Sequence, residues 1–373
     1  MSGALVTDPS SWALMDVAAR SERLQVSLLG AEVDALLVSN LTNIRYLTGF
    51  TGSAALLVVT ADGLTFVTDG RYGAQAEAQL AAAGVQATIE VPSGMQREVV
   101  VAAVGSATRL GLEADSITWS TARTYEQKWF PTLDVVPTSG LVTALRLVKD
   151  DGEIDRIAAA AAIADSALAE VRPMLAARPT EIRFGLELDA AMRRHGADDV
   201  SFETIVASGP NGARPHHRPS SRTIADGDLV VLDFGALVDG YHSDMTRTLA
   251  IGTLSPTQER MLDVVTEAQA AGVAAVGDGV EAKVVDTACR DVIEAAGWLD
   301  AFLHSTGHGV GLDIHEDPRV SQTSTATLVD RCVVTVEPGV YLPEHGGARI
   351  EDTVVVTADG CRPVTLTPKT AAV

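Results

Sequence analysis

Three apolar β-type runs in the second half of the chain each stop at, or begin beside, a carboxylate. Asp233 lies near the end of Val230-Val231-Leu232-Asp233-Phe234-Gly235, Glu337 directly follows Val333 to Val336, and Glu351 comes just before Val354-Val355-Val356. Acidic residues are depleted from strand interiors and expensive to bury unpaired. Each therefore needs a partner: a turn to cap, an arginine such as Arg247, or a cation. A fourth acid, Asp244, follows the Asp239-Gly240 turn inside Ser243-Asp244-Met245-Thr246. If strands flank that turn, the eleven-residue separation brings Asp233 and Asp244 to the same region of a hairpin.

Histidines gather between these acids. His304-Ser305-Thr306-Gly307-His308-Gly309-Val310-Gly311 is followed by His315-Glu316, so three of the eight histidines fall within twelve residues. The interspersed glycines permit close backbone approach. Their Gly-x-Gly spacing is interrupted by a histidine and lacks the dinucleotide fingerprint. Asp233, Asp244, Glu337 and Glu351 together supply four negative charges, which match two divalent cations, and neutral His308 adds a nitrogen ligand without changing that balance. Two such ions would polarise a carbonyl and activate water for attack on it. Carboxylate oxygens with one imidazole suit Mn²⁺, Co²⁺, Fe²⁺ or Zn²⁺. Paired carboxylates doing metal-free acid–base chemistry are the competing reading, which leaves His308 and two acids without a task.

At 373 residues the chain is long for one hydrophobic core, so a large domain with a smaller one is expected. The first third alternates β-rich runs (34–39, 54–60 and 64–68) with a helical stretch, 74–83, ended by Gly84. Asp62-Gly63 between two of those runs reads as a hairpin turn. Pro137-Thr138-Ser139-Gly140 is the boundary candidate, giving domains 1–139 and 140–373. Beyond it the pattern predicts an alanine-rich helix to Val171 and a second, capped by Thr180, to Gly196. A third starts at Ser255-Pro256-Thr257-Gln258 and a fourth runs over 281–296. Leu229 to Phe234, Tyr241 to Ile251, Cys332 to Val336 and Thr353 to Thr357 read as β. Helices beside largely antiparallel strands make an α+β domain.

Forty-nine acidic against twenty-eight basic residues give a formal net charge of −21. That balance disfavours nucleic acid and anionic membranes as partners, which need a concentrated positive face. Cys289, Cys332 and Cys361 form no close pair, as expected in a reducing compartment. With no signal peptide and no run of eighteen uncharged apolar residues, the expected location is the cytoplasm.

At these residues the sequence resembles the Xaa-Pro peptidases, the prolidase and aminopeptidase P branch (M24B type) of the creatinase and methionine-aminopeptidase-like superfamily. The resemblance rests on Asn43-Ile44-Arg45-Tyr46-Leu47-Thr48-Gly49-Phe50, Thr68-Asp69-Gly70-Arg71-Tyr72, Leu147-Val148-Lys149 and Leu232-Asp233-Phe234-Gly235 with Asp244. It extends through Gly307-His308-Gly309-Val310-Gly311-Leu312 with His315-Glu316, Val336-Glu337-Pro338-Gly339 and Arg349-Ile350-Glu351-Asp352. It implies a pita-bread α+β catalytic domain behind a smaller creatinase-type N-terminal α/β domain. It also implies metal ligation by Asp233, Asp244, His308, Glu337 and Glu351, with Asp244 and Glu351 bridging two divalent ions per subunit, Mn²⁺ foremost. His216, His315 and Glu337 take catalytic parts, while His304, Tyr341 and Arg349 contact substrate or ligands. The neighbouring His217 is expected on the loop surface, and Arg349 and Arg214 are the candidates to bind a dipeptide's carboxylate. Small peptides with proline in second position are the implied substrates, with Xaa-Pro dipeptidase activity favoured over aminopeptidase P, in a homodimer. Creatinase shares the architecture without the metal set, so a repurposed pita-bread binding protein is the non-enzyme alternative.

Overall fold

Ala35-Leu36-Leu37-Val38 is apolar at every position, as befits a strand covered on both faces. In the computed structural model, which describes residues 7–94 and 96–372, it forms the fully buried β1 (Ala35–Val38). Its sheet adds β2 (Ala55–Thr60), β3 (Gly63–Thr68), β4 (Thr88–Glu90), β5 (Arg109–Glu113) and β6 (Asp134–Thr138) in the order β4-β3-β2-β1-β5-β6. The β2–β3 hairpin closes on the Thr60–Gly63 pair, so Ala61 and Asp62 alone form the loop and Gly63 belongs to the strand. Helices α1 (Ala18–Gly30), α2 (Leu41–Thr48), α3 (Gly73–Ala82), α4 (Gln96–Val104), α5 (Trp119–Thr124) and α6 (Thr143–Arg146) accompany the sheet. Helix α3 stops where Gly84 takes φ +69°, with Gly84 N donating to Ala81 O and Val85 N to Leu80 O. That double bond pattern satisfies carbonyls the helix end would otherwise leave open. This compact unit covers 14–146; the sequence boundary at 139/140 falls just after β6, before α6.

The second unit comprises 147–372 with residues 7–13. Its first long helix, α7 (Asp151–Val171), begins in a capping box between Asp150 and Glu153. Thr180 caps α8 (Glu181–Arg194), Ser255 and Gln258 form the box of α9 (Pro256–Ala275), and α10 (Ala282–Ala295) ends before Gly297 at φ +80°. Strands β7 (Asp199–Val200), β8 (Ile205–Ser208), β9 (Leu229–Phe234), β10 (Ala236–Val238), β11 (Tyr241–His242) and β12 (Met245–Ala250) form two three-stranded sheets, β12-β9-β8 and β11-β10-β7. Strands β13 (Gly307–Gly309), β14 (Glu316–Val320), β15 (Val333–Val336), β18 (Asp352–Thr357) and β19 (Gly360–Pro363) make an antiparallel sheet of order β14-β13-β15-β18-β19. The remaining pair is β16 (Gly339–Leu342) with β17 (Gly346–Arg349).

Two apolar cores orient the functional faces. Val230, Leu232 and Phe234 of β9 pack with Ile163, Leu168, Phe184 and Leu188 of α7 and α8. Strand periodicity then turns Asp233 to the opposite face. Val334 and Val336 of β15 and Val354 and Val356 of β18 pack with Met261, Val265, Val285 and Ile293 of α9 and α10. Glu337 and Glu351 flank these buried runs. No helix of the described residues is long and apolar enough to cross a membrane.

One expectation needs correction. Tyr241 to Ile251 is not a single β piece: β11 pairs with β10, β12 pairs with β9, and the chain changes sheet at Ser243-Asp244. Ser243 Oγ accepts from Ala236 N at the crossover. Opposite it, a Cβ on Gly235 would stand 1.8 Å from Ser243 O, so the two backbones meet only because residue 235 is glycine.

Candidate metal centre

The crossover delivers Asp244 beside Asp233, and Glu351 arrives from the start of β18. One carboxylate oxygen from each of the three lies within 4.8 Å of the others. His308, at the centre of β13, puts Nε2 3.5 Å from Asp244 Oδ2 and 3.4 Å from Glu337 Oε1. Neighbouring ligand atoms around an ion with bonds of roughly 2.0–2.2 Å stand about 3–3.5 Å apart, so these spacings suit a shared cation.

The donor set also fits at the level of single atoms. Arg349 Nη2 donates to Asp233 Oδ2 at 2.6 Å, and Thr246 Oγ1 donates to Glu351 Oε2 at 2.7 Å. The second oxygens, Asp233 Oδ1 and Glu351 Oε1, are buried with no hydrogen-bond partner among the described residues. Buried polar atoms are seldom left so; each carboxylate is steered by the protein through one oxygen and offers the other. His308 Nδ1 faces its neighbour Gly309 O at 3.0 Å and must donate to it, which leaves the Nε2 lone pair available.

The electrostatics point the same way. Burial, and then repulsion from Glu351, Asp233 and Glu337, pushes Asp244 well above the usual carboxylate range. Glu351 is raised well above its ordinary value by burial and by Glu337 and Asp233. Burial lifts Glu337 to about 8 against the pull of Arg349, and burial lowers His308 to about 4. Four acids that repel one another beside a neutral imidazole form a natural cradle for divalent cations.

Arg349, itself buried, organises the surroundings. It also donates from Nη1 to Tyr341 Oη at 2.6 Å and from Nε to Thr246 Oγ1 at 3.1 Å. Tyr341 Oη stands 2.8 Å from His304 Nε2, and His304 Nδ1 lies 2.8 Å from Ser305 O. The carbonyl requires Nδ1 to donate, so Nε2 accepts from the tyrosine; His304 is neutral in this chain. Burial and then Arg349 hold it down at about 3, while burial pushes the Tyr341 hydroxyl up to about 12. Behind the ligands, Arg247 Nη2 pairs with Asp352 Oδ1 at 2.8 Å, and its Nη1 bonds Glu351 O.

A cavity of about 450 Å³ opens over the cluster, lined by Asp233, Asp244, His308 and Glu337 and by His216, His304, His315 and Arg349. Glu351 and Tyr341 lie outside its lining. His315 is exposed at the cavity with its ring partly shielded, the ring centroid 4.4 Å from that of His308, and this partial burial followed by Arg319 lowers its pKa. The buried Lys149 Nζ holds Glu316 Oε2 at 3.1 Å beneath it. His216 is exposed on the loop between β8 and β9.

Three expectations about this region change. His217 is not a free loop residue: its Nε2 lies 3.0 Å from Glu181 Oε2 in a largely buried contact. Arg349 has its guanidinium occupied by Asp233, Tyr341 and Thr246, and Arg214 is exposed and outside the cavity lining, so neither suits a substrate carboxylate. Arg319, which went unremarked in the sequence, lines the cavity and has no ion-pair partner among the described residues. Its signal was parity along β14: Pro318 and Val320 are buried, while Asp317 and Arg319 are exposed, as is His315 just before the strand.

Residues 155–358 match metallopeptidase family M24, and residues 20–148 match the creatinase/prolidase N-terminal domain. The chain is 43% identical over 337 residues to the Bacillus subtilis peptidase YqhT, covering 90% of this chain and 95% of the relative. Among solved structures, the Xaa-Pro dipeptidase from Bacillus anthracis superposes with a TM-score of 0.90 at 39% identity, over 95% of this chain and 98% of that one. The X-Pro aminopeptidase from Thermotoga maritima gives 0.86 at 33% identity, over 95% and 100%. The helices and sheets of the second unit are thus the pita-bread fold. Sequence and fold together make the chain a member of metallopeptidase family M24, a peptidase with a creatinase/prolidase-type N-terminal domain.

Proposed function

We propose that the chain is an Xaa-Pro peptidase, acting foremost as an Xaa-Pro dipeptidase. The observation that carries this is the convergence of Asp233, Asp244 and Glu351, two of them with an unpartnered buried oxygen, beside a cavity lined by His216, His315 and Arg319. Likeness to the Bacillus anthracis Xaa-Pro dipeptidase supports the substrate class. Asp233, Asp244, His308, Glu337 and Glu351 would hold two divalent ions, Mn²⁺ first among them. Such ions, when bound, supply Lewis acidity to the scissile carbonyl and make water a nucleophile near neutral pH.

The chain's own residues do the rest. His216 and His315 donate hydrogen bonds to the substrate's carbonyl oxygen as it gains negative charge. The Glu337 carboxylate accepts the proton of the attacking water and passes it to the leaving nitrogen. That nitrogen is proline's, which carries no hydrogen in the peptide and must receive one to depart as a secondary amine. Arg319 meets the dipeptide's terminal carboxylate, a group a longer peptide replaces with an uncharged amide. The buried Cys289 and Cys332, like Cys361, are free thiols, in keeping with the proposed cytoplasmic location; a homodimer is part of the same proposal.

The test compares kcat/KM for Ala-Pro, Ala-Pro-Ala, Ala-Pro-amide and Ala-Ala at one fixed Mn²⁺ concentration. Preference for Ala-Pro over both extended substrates supports the dipeptidase. Faster cleavage of Ala-Pro-Ala makes it an aminopeptidase, the reading that likeness to the Thermotoga maritima enzyme favours. Equal cleavage of Ala-Ala removes the proline assignment.

A further inference from the structure

The carboxylate of Glu181 accepts hydrogen bonds from four residues of the segment that carries His216. Its Oε1 receives Ser208 N at 2.8 Å, Ser208 Oγ at 2.7 Å and Asn211 Nδ2 at 3.1 Å. Its Oε2 receives Ser220 N at 3.0 Å, Ser220 Oγ at 2.6 Å and Asn211 Nδ2 at 3.1 Å, with His217 Nε2 3.0 Å away. The side chain is fully buried at the first position of α8, where Thr180 caps the helix and Glu181 N donates to Arg222 O. One carboxylate thus ties both ends of the segment 208–220, its middle, and the residue after His216 to a rigid helix end.

The other side of His216 is held independently. Arg349 Nη1 reaches Pro215 O at 3.4 Å, and the segment lies backbone to backbone on β17, where a Cβ on Gly347 would come within 2.0 Å of Gly212 O. His216 therefore stands between an anchor at Pro215 and an anchor at His217, with its own ring exposed at the cavity. Because the backbone is pinned on both sides, only the ring's own side-chain torsions remain to be fixed when substrate binds.

We infer that Glu181 is a positioning residue for catalysis: by clamping Ser208, Asn211, His217 and Ser220 it fixes where His216 meets the substrate carbonyl. This rests on the part given to His216 above. Glu181 touches none of the five candidate metal ligands, so its effect should reach the reaction through His216 and leave metal content alone.

Glu181→Gln is nearly isosteric but turns one acceptor oxygen into a donor facing donors. In the metal-loaded full chain it should lower kcat for Ala-Pro by about 10- to 100-fold, with bound metal unchanged. Hydrogen–deuterium exchange in peptides covering 208–220 should quicken by about tenfold or more, while α9 stays protected. Combining it with His216→Ala should slow the enzyme no further than His216→Ala alone, since two residues acting through one contact are not additive. Unchanged exchange in 208–220, or losses that multiply in the double variant, overturns the inference. If Glu181→Gln does not fold, Ser220→Ala with Asn211→Ala removes donors and keeps the carboxylate, and the same two readouts decide. Failure of the wild-type protein to cleave Ala-Pro would instead overturn the proposed function, and the exchange measurement would still report whether Glu181 holds the segment.

Discussion

Arg349 and Asp233 form a buried ion pair of 2.6 Å that uses only one oxygen of the aspartate and only one of the arginine's three nitrogens. The geometry needs a planar fork, because the same guanidinium serves Tyr341 and Thr246 from different corners. Arg349→Lys keeps the charge and loses the fork. Metal affinity, read by titrating the metal-free protein, should fall about 10- to 100-fold, and Tyr341 should lose its fixed hydroxyl. Unchanged affinity would mean that Arg349 merely balances charge.

Removing metal should abolish hydrolysis, and restoring two equivalents of Mn²⁺ should return it. The repelling acids also imply that metal stabilises the fold, by about 2.7 kcal/mol at a hundredfold excess over Kd. Calorimetry of chelated and reloaded protein should show the thermal transition rising with metal concentration. Full activity without metal would refute the centre.

Asp244→Asn separates stability from function. In metal-free protein it replaces a carboxyl whose ionisation is opposed by burial and then by Glu351, Asp233 and Glu337, so the thermal transition should stay level or rise. With metal supplied, occupancy should fall and turnover drop by about 100-fold or more. Wild-type occupancy in a folded Asp244→Asn chain would exclude it as a ligand. His216→Ala should do the reverse, keeping metal while losing kcat.

Arg319→Gln should raise KM for Ala-Pro by about tenfold or more and leave Ala-Pro-amide nearly unaffected. Equal losses on both substrates would show that Arg319 acts on something other than a terminal carboxylate.

Glu181 gives the fold an acid-sensitive element. Burial alone would raise its pKa, but hydrogen bonds from Ser220, Ser208 and Asn211 outweigh burial and bring it from 4.5 to about 2. A depressed carboxylate contributes stability that is complete above its unfolded value and fades as pH falls from 4.5 toward 2. The contribution is about 3 kcal/mol. Urea unfolding of metal-free wild type and Glu181→Gln should differ at pH 6 and converge as the pH falls through 4 toward 3. A gap that does not narrow over that range would contradict the assignment.

What was legible in the sequence was mostly local. The capping boxes at Asp150–Glu153 and Ser255–Gln258 involve residues three apart, and Gly84 and Gly297 stop helices that end within a residue or two of where the pattern runs out. Asp233, Glu337 and Glu351 stood out as acids beside apolar runs, Asp244 by its place after a turn and His308 by the gathering of histidines among glycines, and the fold brings the five together. The change of sheet at Ser243-Asp244 was hidden, since both sides of it are β-type and only long-range pairing tells them apart. Arg349 reaching Pro215 O, and Glu181 gathering Ser208 through Ser220, join residues 134 and up to 39 positions apart. No periodicity carries that information. His217 looked like a surface residue because its partner lay on another element.

The contact between Gly235 and the Ser243 carbonyl has a genetic consequence. Every glycine codon begins with GG, so any single-base change that alters the amino acid there adds a Cβ, and at this position that atom would come within 1.8 Å of an oxygen. A screen of random inactive alleles should thus recover codon 235 as readily as the codons for Asp233 and Asp244, although its product has no functional group at all.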